Sequence, residues 1–153
     1  MNKTKLTLIF LIINFLGLWF GTLLMNNGPQ SEWYFNLSKA PWTPPGWVFG
    51  TAWTIIMICF SIYLGDLFSK NNTKNIQLAF IIQFILNVSW NYVFFNQHLV
   101  SLGLIVLLLL NVVLYYFFFS LKKNMTTMRF LLLPYMVWMS IATSLNLYIL
   151  IHN

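Results

Sequence analysis

The run IQLAFIIQFILNVSWNYVFFNQHLVSLGLIVLLLLNVVLYYFFFSL, residues 76–121, decides how many times this chain crosses a bilayer. A transmembrane helix needs about 20 predominantly apolar residues, so the run is too long for one span. Reading Asn96-Gln97-His98 as a tight turn splits it into spans over 76–96 and 99–121. Working outward, residues 6–25, 46–68 and 130–151 qualify as three further spans. The breaks between them are distinct: 26–45 is rich in Pro, Asn and Ser, 69–75 is polar, and 122–127 is polar and basic. The expected fold is an all-α membrane protein, a bundle of five transmembrane helices forming a single domain over 1–153.

Composition carries the same message. Of 153 residues, 59% are hydrophobic and 7% are charged, whereas a soluble domain is roughly a quarter charged. So few charges cannot cover a water-soluble globule, and the apolar surface must face lipid. The formal charge of +6 does not mark a nucleic-acid partner, because the basic residues are scattered singly or in pairs. Lys3, Lys5, Lys70, Lys74, Lys122, Lys123 and Arg129 all fall on one side of a five-span chain, and Lys39 alone falls on the other. The positive-inside rule then places the N-terminus in the cytoplasm and the C-terminus outside. An even number of spans would scatter these charges. The first apolar run is too long for a signal-peptide core and lacks a small-x-small cleavage site, so it reads as a retained helix. The single cysteine, Cys59, reads as an apolar packing residue.

The loop over 26–45 holds Trp33, Tyr34 and Trp42, too aromatic for a mere solvated connector. Two readings stay open: an interfacial aromatic belt, or a lid over the mouth of the bundle. In the third span Gln83, Asn87 and Asn91 recur at i, i+4 and form one stripe, with Trp90 beside it. Such amides either tie helices together or line a site. In the fifth span Tyr135, Trp138, Ala142 and Asn146 share a face, and Pro134 predicts a kink one turn inside the helix. The second span is expected to open with Thr43 as N-cap and Pro44 at the first helical position, and Gly46, Gly50, Trp53 and Met57 then share a face. At 1.5 Å per residue, Trp53 lies roughly 10 Å, and Asn87 and Ala142 about 13 Å, below the ends of their helices on the loop side. Indoles, amides and a small residue therefore meet at one level beneath the aromatic loop. That is a site for a flat apolar ligand with polar edges. The patterns Gly17–Gly21 and Gly46–Gly50 predict close helix approach, within the chain or in a dimer.

Asp66 and Glu32 fall at or beyond the helix ends, so a carrier built on buried ionisable groups is not expected. His98 and His152 do not fall together, no cluster has metal-ligand spacing, and no nucleophile–base pair can be assembled.

Three blocks carry a family resemblance. The first is Trp33-Tyr34 followed by Lys39-Ala40-Pro41-Trp42-Thr43-Pro44-Pro45-Gly46-Trp47-Val48-Phe49-Gly50 and Trp53. The second is Gln83-Phe84-Ile85-Leu86-Asn87-Val88-Ser89-Trp90-Asn91 with Phe94-Phe95. The third is Leu133-Pro134-Tyr135-Met136-Val137-Trp138 with Ala142 and Leu145-Asn146. In this order and spacing they resemble the TspO/MBR family of tryptophan-rich sensory and translocator proteins, once called the peripheral benzodiazepine receptor. The resemblance implies a five-helix bundle, often a dimer, in a bacterial cytoplasmic membrane, with its pocket under the loop joining the first two helices. It implies porphyrins such as protoporphyrin IX as ligands, and for animal members cholesterol and benzodiazepine-type compounds. Some bacterial members are linked to light-dependent porphyrin breakdown and to stress signalling.

By motif position the ligand would meet Trp33, Tyr34, Trp42, Trp53, Asn87, Trp138 and Ala142, with Asn91 and Asn146 on the same faces. Trp53 and Trp138 match the tryptophans implicated in breakdown. No cofactor is required; the porphyrin is the ligand, and the bilayer is the other expected partner. There are departures. No basic residue follows Tyr148, which lowers the expectation of sterol binding. Asn91 replaces a smaller hydroxyl and alters the pocket's shape. The pocket lacks an axial His, which favours metal-free porphyrin. A transporter of porphyrin or lipid-like molecules and a ligand-free structural subunit remain the competing readings.

Overall fold

The computed structural model describes residues 2–121, 125 and 127–153. Lys122 and Lys123, counted above among the basic loop residues, lie outside the described residues. Every regular element described is helical: α1 (Lys3–Leu24), α2 (Glu32–Asn36), α3 (Gly46–Lys70), α4 (Lys74–Asn91), α5 (Val100–Tyr115) and α6 (Leu133–His152). Among the described residues five helical segments are long and apolar enough to cross a membrane, all but the short α2.

Local chemistry sets the ends. The Asn2 side chain accepts from the Lys5 amide at 2.9 Å and caps α1, Ser31 caps α2 through the Tyr34 amide, and Thr73 caps α4. The tripeptide that divides the long apolar run forms the expected turn. The α4 helix widens into a π turn over Tyr92–Asn96, and His98 then adopts a left-handed backbone, φ 57°. A second π turn over Tyr116–Ser120 ends the fourth span.

Two helix starts differ from expectation. Thr43 does not cap α3; its amide and hydroxyl both donate to the Ala40 carbonyl, at 3.0 and 2.7 Å. Pro45 is the cap, in extended backbone, because a residue preceding proline is pushed out of the helical region and Pro44 precedes Pro45. Pro134 does not kink a helix from within. A 3₁₀ segment over Met128–Leu132 leads into α6, and Pro134 sits in the first turn of α6, where its missing N–H costs nothing.

The five long helices close into a ring in which α1 packs on α3 and α4, α4 on α5, α5 on α6, and α6 on α3. The two ends of this ring are built differently. At the end carrying Lys3 and Lys70, Phe60, Tyr63, Leu64, Leu67, Leu114, Phe117 and Tyr135 are fully buried, and the Tyr63 hydroxyl donates to the Phe117 carbonyl at 3.0 Å. There α1 and α3 touch through backbone: a Cβ on Gly65 would lie 2.8 Å from the Thr7 nitrogen and 2.9 Å from its Cα. Asp66, expected at or beyond a helix end, lies in the last turns of α3 and is buried, held between Lys3 (2.9 Å) and Lys70 (2.6 Å). Large apolar side chains such as Ile12, Ile85, Val112 and Val137 are exposed, a surface suited to lipid.

The Gly-x-x-x-Gly patterns divide. Gly17 and Gly21 serve intrachain packing, since a Cβ there would press into Phe84 and Asn91 of α4 at 2.5 and 2.6 Å. Gly46 and Gly50 pack against nothing; a Cβ on either meets no atom within 4 Å.

Opposite outcomes follow for two like substitutions. Gly65→Ala forces α1 from α3 at a cost of about 1–3 kcal/mol, only partly offset by about 1 kcal/mol of helix propensity. Gly50→Ala keeps the propensity gain. Thermal unfolding in detergent should fall for the first and hold or rise for the second; equal shifts would remove the backbone contact from the account.

Candidate functional site

At the end of the ring opposite Lys3, the core gives way to a cavity of 590 Å³ bounded by α1, α3, α4 and the 26–45 loop. The α3 helix contributes Phe49 and Trp53, one turn apart, together with Gly46, Gly50 and Thr54. The α4 helix contributes Asn87, Trp90 and Asn91, while Gly17, Leu18 and Thr22 form the α1 wall. Tyr34, Lys39 and Pro44 of the loop complete the enclosure.

A smaller recess of 40 Å³ lies against the same Phe49, Trp53, Asn87 and Trp90, with Trp138, Met139 and Ala142 on its other side. The predicted convergence of Trp53, Asn87, Trp138 and Ala142 is therefore present, at this recess. Trp138 and Ala142 do not line the main cavity. Phe49 meets Trp138 edge-on at 5.1 Å, and Trp53 meets Tyr135 edge-on at 5.9 Å, geometry that aromatic quadrupoles favour.

The amide stripe of α4 splits between the two roles left open by the sequence. Gln83 is buried, and its Nε2 donates to the Tyr135 hydroxyl at 2.8 Å, so it ties α4 to α6. Asn87 and Asn91 line the cavity, and Asn91 Nδ2 makes a long bond of 3.5 Å to the Asn87 carbonyl. The hydrogen bonds among the described residues leave the Asn87 amide and the Trp53 indole N–H unengaged. Asn146 is absent from both linings. Its Oδ1 accepts from the Trp90 indole at 3.3 Å while its Nδ2 donates to the Val100 carbonyl at 2.9 Å. It fixes a wall residue rather than forming wall.

The loop is a lid with an aromatic underside and separate tethers. Tyr34 faces the cavity, and burial pushes its phenol above the ordinary value of 10.0, so it remains a neutral hydrogen-bonding group. Trp33 and Trp42 do not line the cavity. Trp33 stacks on His98 at 4.1 Å and meets Phe94 edge-on at 5.5 Å. Trp42 donates its indole N–H to Ser144 Oγ at 3.1 Å and packs on Tyr148 at 5.4 Å. The Asn153 side chain accepts from the Ser38 amide and donates to its carbonyl, at 2.9 and 3.2 Å. Within the lid, Lys39 Nζ donates to the carbonyls of Tyr34, Phe35 and Leu37 at 2.8, 3.0 and 3.2 Å, closing the C-terminal end of α2. The lid joins α1 through Asn26, Asn27 and Gly28, all with left-handed φ of 49, 70 and 46°, a conformation Asn and Gly tolerate best.

Sequence reasoning missed the α1 wall and Phe49. The Gly17–Gly21 pattern was a signal that α1 approaches another helix closely. Asn14, on the same face, is a second such signal, but neither says that this face borders a cavity.

This arrangement can hold an apolar, aromatic ligand against indole and phenyl rings and offer its polar edge an amide and an indole N–H. The TspO/MBR family model matches residues 9–152. The chain is 32% identical to the tryptophan-rich protein TspO of Chlorobaculum tepidum, over 98% of each chain. It is 29% identical to the tryptophan-rich sensory protein of Cereibacter sphaeroides, over 75% of this chain and 73% of that one. It is 27% identical to the translocator protein of Homo sapiens, over 78% of this chain and 74% of that one. With the family model spanning nearly the whole chain and five apolar helices in place, the protein belongs to the TspO/MBR family and is a multi-pass integral membrane protein.

Proposed function

We propose that this protein is a membrane receptor or sensor for porphyrin-like tetrapyrroles, protoporphyrin IX among them, bound beneath the lid. The observation that carries this is the cavity wall: Phe49, Trp53 and Trp90 supply ring faces and edges around 590 Å³, with the Asn87 amide among them. That volume falls within the roughly 300–1,000 Å³ of small-molecule sites, and so does the balance of many apolar groups to few polar ones. A flat macrocycle gains from stacking on the indoles, and its polar substituents find partners in Asn87, Trp53 Nε1 and Tyr34. The printed names of relatives, a sensory protein and a translocator protein, support a receptor role.

The lid side faces outward in this reading, and the Lys3–Lys70 end faces the cytoplasm of a bacterial cell, from the one-sided basic residues. A light-driven breakdown of the bound macrocycle would draw first on Trp53, which borders both the cavity and the recess, and then on Trp138, which borders the recess alone.

Quenching of tryptophan fluorescence by protoporphyrin IX tests the reading in reconstituted protein. Trp53→Phe should raise the half-saturating concentration roughly fivefold, as expected from about 1 kcal/mol of aromatic contact. Trp42→Phe should stay within about twofold of the parent, since Trp42 packs outside the cavity. A parent that does not quench sinks the proposal, and unaltered binding by Trp53→Phe moves the site elsewhere.

Asn146→Leu leaves the Trp90 N–H without its partner, at about 1–3 kcal/mol, while the Val100 carbonyl, at the start of α5, keeps its helical donor. It should lower the unfolding temperature and weaken quenching together, because Trp90 loses its tether. Weaker folding with undiminished binding would show that Trp90 needs no such support.

A further inference from the structure

Among the described residues the α1–α4 and α3–α6 seams are closed beside the cavity, a separate groove of 350 Å³ on α3 and α6 bordering Trp138 but not the cavity's own lining; the α1–α3 seam is open there. The α1–α4 seam is shut by Gly17 against Phe84 and Gly21 against Asn91. Trp90 is bonded to Asn146 across to α6, and Phe49 packs edge-on against Trp138 between α3 and α6. The α1–α3 pair is locked only toward the Lys3 end. There Thr7 lies on Gly65, Phe10 packs on Phe68 at 4.8 Å, and Asn14 Nδ2 donates to Ser61 Oγ at 2.8 Å.

The face of α3 that carries Ser61 and Gly65 continues toward the lid as Thr54, Gly50 and Gly46. Here nothing covers it: a Cβ on Gly46 or Gly50 meets no atom within 4 Å, although both glycines border the cavity. A glycine inside a helix costs about 1 kcal/mol relative to alanine, and here no packing contact offsets it. The edges of the gap are apolar as well. Thr54 Oγ1 donates to the Gly50 carbonyl at 2.8 Å, and Thr22 Oγ1 donates to the Leu18 carbonyl at 3.0 Å. Each hydroxyl is satisfied on its own helix, as a lipid-facing surface requires. Gly46 to Thr54 spans roughly 12 Å of helix, close to the depth of one leaflet of a hydrocarbon core about 30 Å thick.

We infer that the gap between α1 and α3 is the cavity's door to the bilayer, through which an apolar ligand dissolved in the lid-side leaflet enters and leaves sideways. The lid, by contrast, is tethered at Trp33–His98, Ser38–Asn153 and Trp42–Ser144 and stays shut while ligand exchanges. The membrane is then the ligand's reservoir, and partition into lipid, not solubility in water, sets the concentration the protein meets. This route rests on the receptor reading above.

The test reads the kinetics of tryptophan quenching by protoporphyrin IX delivered from preloaded vesicles to the full chain in lipid nanodiscs. Gly50→Leu puts a side chain in the gap, its Cβ meeting no atom within 4 Å, with improved helix propensity, so its unfolding temperature should not fall. It should slow association and dissociation alike, each by about tenfold or more. A lid locked by Ser38→Cys with Asn153→Cys, in a Cys59→Ala background, should exchange ligand at the same rate oxidised and reduced.

Parent-like rates for Gly50→Leu overturn the door. So does faster dissociation, which marks a clash with bound ligand instead of a blocked path. A locked lid that halts exchange until reduced shows entry from water beneath the loop. A parent that binds no porphyrin overturns the receptor reading, and this route with it.

Discussion

The seating of Thr7 on Gly65 governs the rest of the architecture. Because Gly65 has no Cβ, the α1 and α3 backbones approach within contact distance at the Lys3 end, and Lys3 and Lys70 then reach the same buried carboxylate, Asp66. An unpaired charge at that depth would be costly, whereas one held by two cations and sited at a helix end is tolerable. With that end fixed, α1 and α3 behave like a hinge pinned at its base. Toward the lid a Cβ on Gly46 or Gly50 of α3 meets no atom within 4 Å, and the cavity borders both helices there.

Buried polar groups sort by whether they find a protein partner. In hydrocarbon an unsatisfied donor or acceptor is penalised by several kcal/mol. Asn14 with Ser61, Gln83 with Tyr135, and Asn146 with Trp90 and Val100 each join different helices. These pairs hold the ring rigid around the cavity and set the wall rings at fixed angles. Asn87 lines the cavity with its amide unengaged, and a polar group left without a protein partner beside an apolar cavity is where a ligand gains most from a single hydrogen bond. Two amides on the same stripe of α4 thus differ: Gln83 is a tie between helices, and one turn on Asn87 faces the cavity.

Much of this was legible in the sequence. Span number followed from three polar breaks, the Asn96-Gln97-His98 turn and the one-sided basic residues, since a bilayer admits few alternatives. The common level of Trp53, Asn87 and Ala142 followed from helical rise once their helices were taken as neighbours, and the family resemblance added Trp138 to the set. What the sequence did not reveal was orientation about each helix axis. Trp33, Trp42 and Asn146 carry the residue types of a binding site yet act as anchors, because indole N–H and amide groups serve equally well in a tether. Conversely, Gly17, Leu18 and Thr22 form wall; Asn14 and Gly17–Gly21 mark the packed face of α1, but lipid and cavity are both apolar, so hydrophobicity cannot tell wall from lipid-facing surface. The glycine patterns show the same ambiguity in a sharper form. Gly17–Gly21 and Gly46–Gly50 are identical in spacing, but one is filled by Phe84 and Asn91 and the other by nothing.

The lid explains how a cavity of this size persists. An apolar hollow left to itself favours collapse, since its lining forfeits dispersion contacts. Here the walls are braced from outside. Trp90 is held by Asn146 and stacks on Phe94 at 4.9 Å, Phe94 is braced in turn by Trp33, and Trp33 by His98. The brace runs through the π turn over Tyr92–Asn96, a local widening of the helix that recurs at functional sites and that here places Phe94 and Phe95 against the lid. On the opposite flank the left-handed residues Asn26, Asn27 and Gly28 turn the chain off α1 sharply, so the lid is drawn across toward α6 and not down onto α3. The hollow stays open because every ring around it is propped by a partner behind it. Gly46 and Gly50 have no such partner among the described residues, and both border the hollow on the side of the inferred door.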